Sequence, residues 1–113
     1  AGRGTRALIC GAGYRATLFI RQASQTAPAA ATLILVGMVD ADDALRGHFV
    51  HGVRVLGNYD DLPRLLRDLR IESVYVVEDV GPEHERRIRE ALRGTAARLF
   101  RWRIVEEVEP VER

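Results

Sequence analysis

Two glycines and one aspartate, which follow apolar segments, form a candidate ligand-binding pattern in the sequence. Gly11-Ala12-Gly13-Tyr14-Arg15-Ala16 follows the apolar residues 7–10, and Asp40 ends a second apolar segment 27 positions after Gly13. Glycines at this spacing let a backbone turn sharply and approach a pyrophosphate, which binds the free N–H groups of the next helix. An acid about 20 residues further on accepts hydrogen bonds from ribose hydroxyls. The pattern predicts a dinucleotide-binding loop; a purely structural tight turn is the alternative.

Residues beside the glycines and the aspartate could contact the same ligand. Arg15 and Arg46 could each bind phosphate oxygens through a guanidinium group, and Asp42 could contact a ribose or a sugar. The alternative is that both arginines are ordinary surface residues and that Asp42 only caps a loop. The predicted cofactor-binding residues are Gly11, Ala12, Gly13, Tyr14, Arg15, Asp40, Asp42 and Arg46.

Composition limits the class of protein. The 113 residues suffice for one domain, residues 1–113, and 47% hydrophobic with 29% charged residues is typical of a soluble globular domain. A net charge of +1 argues against nucleic acid as a partner. The single cysteine, Cys10, excludes an internal disulfide and fits a cytoplasmic setting. Because the sequence starts with Ala1, we expect it to be part of a longer protein.

Sites for other chemistry are not indicated. All 17 basic residues are arginine, so the chain cannot form a Schiff base, a P-loop lysine contact or a Tyr-x-x-x-Lys pair. His48, His51 and His84 lie apart, without cysteines or paired carboxylates at the spacing of a metal site. Ser24 and Ser73 lack the strained turn and neighbouring base of a nucleophile. We therefore predict no catalytic residue and no metal.

Apolar segments alternate with helical patterns along the whole chain. The nearly continuous aliphatic run 33–39 is typical of a parallel strand covered on both faces. Five strands are predicted, at residues 7–10, 33–39, 53–56, 73–77 and 98–105. With helical crossovers they form a doubly wound parallel α/β sheet of the Rossmann type, in the order 3-2-1-4-5. This order places residues 11–15, 40–42 and 78–79 around one cleft.

Caps and apolar spacing mark the three helices. The first has an apolar stripe from Ala16, the second follows a cap at Asn58, and the third starts at Pro82 and stops at Gly94. In the last strand, Phe100, Trp102 and Ile104 alternate with arginines, which predicts an edge strand with one wet face. A second copy of the chain, forming a homodimer, could cover that edge.

The middle of the chain resembles a known family. Val36-Gly37-Met38-Val39-Asp40-Ala41-Asp42, Arg46-Gly47, His51-Gly52-Val53-Arg54-Val55-Leu56-Gly57 and Asp60-Asp61-Leu62 are similar to its line "GFVDDDP…RG…I-HGVPVLG…-DLP". The family is the nucleotide-binding Rossmann (CoA-binding-like) domain of bacterial polysaccharide-biosynthesis proteins. The resemblance extends from Arg6 to about Glu107.

The resemblance implies a ligand and a setting. The ligand would be NAD or a nucleotide sugar such as a UDP-sugar. The setting would be a cytoplasmic domain beside the membrane and catalytic domains of a nucleotide-sugar epimerase or dehydratase, or of a sugar-phosphate transferase. The parent would then be an inner-membrane protein.

The sequence departs from the family at the end of the fourth strand. The usual A-x-P-S is replaced by Val77-Glu78-Asp79-Val80-Gly81-Pro82. Carboxylates at Glu78 and Asp79 would repel a phosphate bound beside the glycine loop.

Three functions are compatible with these patterns. The first is a non-catalytic nucleotide-binding module of a larger enzyme, which the glycine motif and Asp40 favour. The second is the amino-terminal NAD-binding fragment of a sugar oxidoreductase, whose family resemblance includes His84 but lacks the E-K-P lysine. The third is a degenerate Rossmann scaffold that only mediates assembly. We expect the first.

Overall fold

A six-stranded sheet with helices on both faces forms the fold. The computed structural model describes residues 4–25, 32–105 and 108–111. The strands are β1 (Thr5–Cys10), β2 (Leu33–Val39), β3 (Phe49–Val50), β4 (Val53–Gly57), β5 (Ser73–Val76) and β6 (Arg98–Arg101). The helices are α1 (Tyr14–Gln25), α2 (Leu62–Asp68) and α3 (Pro82–Leu92), with 3-10 turns at Asp43–Leu45 and Tyr59–Asp61. No helix among these residues is long and apolar enough to span a bilayer.

The sheet has the predicted Rossmann-like arrangement with one additional strand. Its order is β3-β4-β2-β1-β5-β6, and every pairing is parallel except that between β3 and β4. The five predicted strands therefore lie in the predicted order 3-2-1-4-5. From β1 the sheet extends in one direction through β2 and in the opposite direction through β5. The two halves of the sheet therefore diverge at the neighbouring strands β1 and β5.

The additional strand, β3, forms a hairpin with β4 and lies between the predicted strands 33–39 and 53–56, where the sequence predicted no strand. Phe49 and Val50 pair with Arg54 and Val53, leaving only a two-residue turn. Both turn residues have positive φ, +47° at His51 and +83° at Gly52. Two such residues form a turn whose twist matches that of antiparallel strands. The His-Gly pair is therefore a hairpin signal.

Alternate residues of the sheet pack against helices on opposite faces. On one face Leu8, Val74 and Val76 lie under α2 and α3, which contribute Leu62 and Ile88. The other face of the sheet packs against α1 through Ile9, Met38, Val55, Ala16, Phe19 and Ile20. Burial of each large aliphatic side chain stabilises a fold by about 1.5–3 kcal/mol. This core fixes the carboxyl ends of β1, β2 and β5 relative to each other.

Strand β6 lies at an edge of the sheet and buries its aromatic face as predicted. Phe100 stacks on Tyr75 at 5.1 Å between ring centroids, and Trp102 meets Phe19 edge-on at 5.4 Å. The predicted strand 98–105 is too long, because β6 ends at Arg101. Its neighbour β5 ends at Val76, whose carbonyl accepts the N–H of Trp102.

A capping box starts the segment that leads into α2, as the sequence predicted from Asn58. The Asn58 side chain accepts the N–H of Asp60, and the Asp61 carboxylate accepts the N–H of Asn58 at 2.9 Å. Arg46 and Arg64 donate to the same carboxylate at 3.1 and 3.3 Å. The Asn58 hydrogen bond and the two guanidinium groups hold the pKa of Asp61 below its ordinary value.

This cap predicts an acid-sensitive contribution to stability. Because the folded-state pKa of Asp61 is lowered, its contribution is present above the unfolded pKa of about 3.9 and is lost as pH falls through the folded value. We expect Asp61→Asn to lower the free energy of unfolding at neutral pH by about 1 kcal/mol, and the difference to vanish in acid. Urea unfolding at both pH values measures it. Asp68→Asn, which removes an exposed carboxylate paired with Arg67, is the control and should change little; equal losses would contradict the cap's role.

Candidate functional site

The candidate site lies at the carboxyl ends of β1, β2 and β5. The glycine loop, residues 11–13, connects β1 to the start of α1, Asp40 directly follows β2, and Glu78 follows β5. The main chain holds these ends together, since the N–H of Gly11 donates to the carbonyl of Val39 at 2.9 Å. The predicted cleft residues 11–15, 40–42 and 78–79 therefore follow adjacent strands.

The two glycines differ in what the backbone requires. Gly11 is buried, with φ of +105°, and a methyl group there would lie 2.6 Å from Cγ of Glu78. Gly13 is exposed, and a methyl group there would lie 3.0 Å from Oε1 of Glu78, the end of a flexible side chain. Gly11 is therefore needed by the fold, whereas at Gly13 the nearest obstacle to an approaching group is the end of the flexible Glu78 side chain.

Asp40 joins the second strand to the glycine loop. Its Oδ2 accepts the backbone N–H of Ala12 at 2.8 Å, and its Oδ1 accepts that of Asp42 at 2.8 Å. An ionised carboxylate has about four acceptor positions. Each oxygen can therefore still accept a hydrogen bond from a ligand hydroxyl. Asp40 is half-buried, so its side chain is fixed and remains reachable.

Glu78 lies against the same loop from the opposite side. Burial raises the pKa of its carboxyl above the ordinary value, and the charge of Asp40 raises it further. A hydrogen bond from the Gly13 backbone N–H and the charge of Arg15 act in the opposite direction. The N–H groups of Ala12 and Gly13 thus both face carboxylates of the protein itself.

The remaining predicted residues surround this centre. Tyr14 and Arg15 start α1 with exposed side chains, and their backbone N–H groups belong to the first turn, which lacks intrahelical acceptors. Asp42 is exposed and caps the turn Asp43–Leu45 by accepting the N–H of Ala44 at 2.9 Å. Arg46 donates to Asp61 and to the carbonyl of Leu56 at 3.3 Å, which holds it on the β4 side.

One residue of the site carries no sequence motif. Tyr59 is buried and stacks on His84 with 4.6 Å between ring centroids. Burial raises the pKa of its hydroxyl well above the ordinary value, and interactions with Cys10, Asp40 and Glu78 raise it further. The hydroxyl is therefore neutral, and the charges of both carboxylates act on it. A tyrosine inside a turn between Asn58 and Asp60 gave no signal of this position.

A cleft continues from the glycine loop toward β6. It has a volume of about 450 Å³ and is lined by Arg15, Val76, Val77, Glu78, Asp79, Arg101, Trp102 and Arg103. Arg101 is paired with Glu85 at 2.5 Å, while Arg15 and Arg103 present exposed guanidinium groups. The cleft therefore offers positive charge next to the two carboxylates.

A larger cleft lies at the opposite ends of the strands. Its volume is about 820 Å³, and its lining includes the first residues of β1, β2, β5 and β6, namely Thr5, Leu33, Ser73 and Arg98. Ligands of doubly wound sheets bind outside the carboxyl ends of the strands, so we assign the site to the smaller cleft and the glycine loop. Among the described residues, no three His, Cys, Asp or Glu side chains form a group that could hold a metal ion.

Solved structures with the same fold include nucleotide-binding proteins. A Rex-family repressor, RSP, in complex with beta-NAD+ and operator DNA matches with a TM-score of 0.66 at 18% identity, over 95% of this chain and 48% of that chain. UDP-D-quinovosamine 4-dehydrogenase from Vibrio fischeri matches with a TM-score of 0.69 at 18% identity, over 86% and 76%. No family model and no curated protein matches the sequence.

A third match has higher sequence identity and a lower structural score. A mutant of perosamine N-acetyltransferase from Caulobacter crescentus, in complex with CoA and GDP-perosamine, matches at 27% identity with a TM-score of 0.52. That match covers 80% of this chain and 38% of the transferase chain. The chain also spans only about half of the repressor chain. The likenesses establish that this chain has a Rossmann-like α/β fold.

Proposed function

We propose that this chain is a non-catalytic nucleotide-binding domain that binds NAD(H) or a nucleotide sugar such as a UDP-sugar. One observation carries the proposal: Gly13 lies exposed at the start of α1, beside a fixed and reachable Asp40. Together they offer close backbone approach for a pyrophosphate and hydrogen-bond acceptors for a ribose.

We infer the position of the ligand from the groups of the site that are exposed to it. The first-turn N–H groups of Tyr14 and Arg15, together with the Arg15 guanidinium, would hold a pyrophosphate, since α1 has no acidic residue in its first turn. The ribose would lie against Asp40 and Asp42. The other half of the ligand would enter the cleft between Glu78 and Arg103.

Proteins of the same fold support both ligand classes. The repressor structures contain beta-NAD+ or beta-NADH. The dehydrogenase acts on UDP-D-quinovosamine, and the acetyltransferase structure contains GDP-perosamine. The sugar-nucleotide proteins are in line with the resemblance to domains of polysaccharide biosynthesis.

The proposed setting is a cytoplasmic domain of a longer, membrane-associated bacterial polysaccharide-biosynthesis protein. The reaction would be carried out by another domain of an epimerase, a dehydratase or a sugar-phosphate transferase, because this sequence contains no lysine and no activated nucleophile. We propose no nucleic-acid partner, although the repressor of the same fold binds operator DNA.

Calorimetric titration of the purified domain with NAD, NADP, UDP and UDP-N-acetylglucosamine tests the proposal. Saturable binding of NAD or the UDP-sugar at a single site is the expected result. Absence of heat with all four compounds, at millimolar concentrations, would leave the chain as a structural scaffold and contradict the proposal.

A further inference from the structure

The Glu78 side chain occupies the space next to both glycines. Its Cγ and Cδ lie 2.6 and 2.7 Å from the position that a Cβ atom at Gly11 would take, and its Oε1 lies 3.0 Å from that of a Cβ atom at Gly13. The Gly13 N–H, a donor that a pyrophosphate would use in a glycine loop, already faces the Glu78 carboxylate. A ligand phosphate beside Gly13 would therefore meet a negative charge of the protein.

The helix behind the loop favours a carboxylate there, against the burial that raises the pKa of Glu78. A helix N-terminus carries partial positive charge and favours anions. Helix α3 satisfies this with Glu83 and Glu85 in its own first turn, whereas α1 has no acidic residue in that position. Glu78 reaches the loop at the start of α1 from the end of β5 and supplies the missing negative charge.

We propose that Glu78 is a specificity-determining residue, which favours pyrophosphate diesters such as NAD or UDP-sugars over nucleoside diphosphates with a free terminal phosphate. The inference rests on the proposed function. A free terminal phosphate gains a second negative charge near neutral pH, with a pKa of about 6. A diester lacks that charge and is repelled less. The esterified end can also extend past Glu78 into the cleft that Arg15 and Arg103 line.

Several other charged or titratable groups surround Glu78. Asp40 faces it from β2, Arg15 from α1, and Tyr59 from the turn before α2. Cys10 is buried near Tyr59, and His84 of α3 stacks on the Tyr59 ring. Asp79, Arg101 and Arg103 share the cleft. Protonation of Glu78, whose pKa is raised, removes the repulsion, so binding of a UDP-sugar should tighten as pH falls.

The test compares UDP and UDP-N-acetylglucosamine with the wild-type domain, Glu78→Gln and Asp79→Asn. Asp79→Asn is the matched control, because it removes an adjacent carboxylate of the same cleft that bonds only locally, to the N–H of Gly81. At about pH 7.5, Glu78→Gln should tighten UDP about tenfold more than UDP-N-acetylglucosamine. Asp79→Asn should leave the ratio of the two affinities within about twofold. Thermal unfolding confirms that each variant is folded, and Glu78→Ala is used if Glu78→Gln does not fold.

A second readout uses the UDP-sugar alone, whose diester phosphates do not titrate in the range used. Its affinity for the wild type should rise as pH falls toward the raised pKa of Glu78 and stay flat in Glu78→Gln. This inference would be overturned if Glu78→Gln binds both ligands with an unchanged ratio of the UDP affinity to the UDP-N-acetylglucosamine affinity, or if Asp79→Asn changes that ratio equally. Either result would leave the proposed function standing. Absence of binding by every variant at every pH would overturn both.

Discussion

Replacing Gly13 by valine should weaken nucleotide binding about a hundredfold while the domain still folds. The exposed position has no positive φ, and its nearest obstacle is the flexible Glu78 carboxylate, so the fold can accept the side chain. A ligand pyrophosphate cannot reach the helix start in this variant, because the isopropyl group of valine would occupy its approach. A steric cost of about 3 kcal/mol corresponds to a loss of about a hundredfold in affinity. Calorimetry with the tightest ligand, together with thermal unfolding, measures both effects.

Gly11→Ala is the contrasting variant for this experiment. At φ of +105°, with Glu78 carbons within 3 Å of the new methyl group, alanine should destabilise the domain by about 1–3 kcal/mol. A binding loss in Gly11→Ala would therefore accompany lost stability, while Gly13→Val loses binding alone. Unchanged affinity in a folded Gly13→Val variant would place the ligand away from the glycine loop.

Removing the charge of Asp40 should erase a preference for NAD over NADP. The carboxylate at the end of β2 accepts ribose hydroxyls but repels a 2′-phosphate. Two charges near 4 Å repel by about 1–4 kcal/mol between bulk water and a protein surface, so we expect NAD to bind at least about fivefold more tightly. Asp40→Asn keeps an acceptor for the Ala12 N–H and should bring the two affinities within about threefold.

The neighbouring Asp43 provides the control for Asp40. It is exposed and accepts a hydrogen bond from the Asn58 side chain at 2.8 Å, so Asp43→Asn removes one charge from the same loop and should leave the preference unchanged. Tighter binding of NADP by the wild type would refute the role of Asp40. It would then point to Arg46, whose pairing with Asp61 would have to break.

The strand order was predictable because each strand shows its environment in its residues. The aliphatic run Leu33–Val39 is buried in its second half, although Ile34 near its start is exposed, and Phe100 and Trp102 alternate with arginines at an edge. The hairpin at His51 was missed because two residues on each side of a turn give too short a pattern to detect. Sequence predicted a cap at Asn58, but not the 3-10 turn Tyr59–Asp61 that separates this cap from α2.

The candidate site was only partly predictable, because contacts between loops depend on the third dimension. Sequence indicated that Glu78 lies in the cleft and repels phosphate, but not that it takes the Gly13 N–H. The electrostatic effect of Asp40 on Tyr59 likewise depends on the packing of β2 beside β4. Arg46 looked like a phosphate ligand in sequence, yet Asp61 holds it in a capping network fifteen residues away along the chain.

Amide chemical shifts of the ¹⁵N-labelled domain, titrated with NAD and with UDP-N-acetylglucosamine, test directly whether a nucleotide binds at the glycine loop. We expect such binding to give saturable shifts at Ala12, Gly13, Tyr14 and Arg15, with no shift at the distant turn residues Gly52 and Gly94. Shifts confined to the larger cleft around Thr5, Ser73 and Arg98, or none with either ligand, would contradict it.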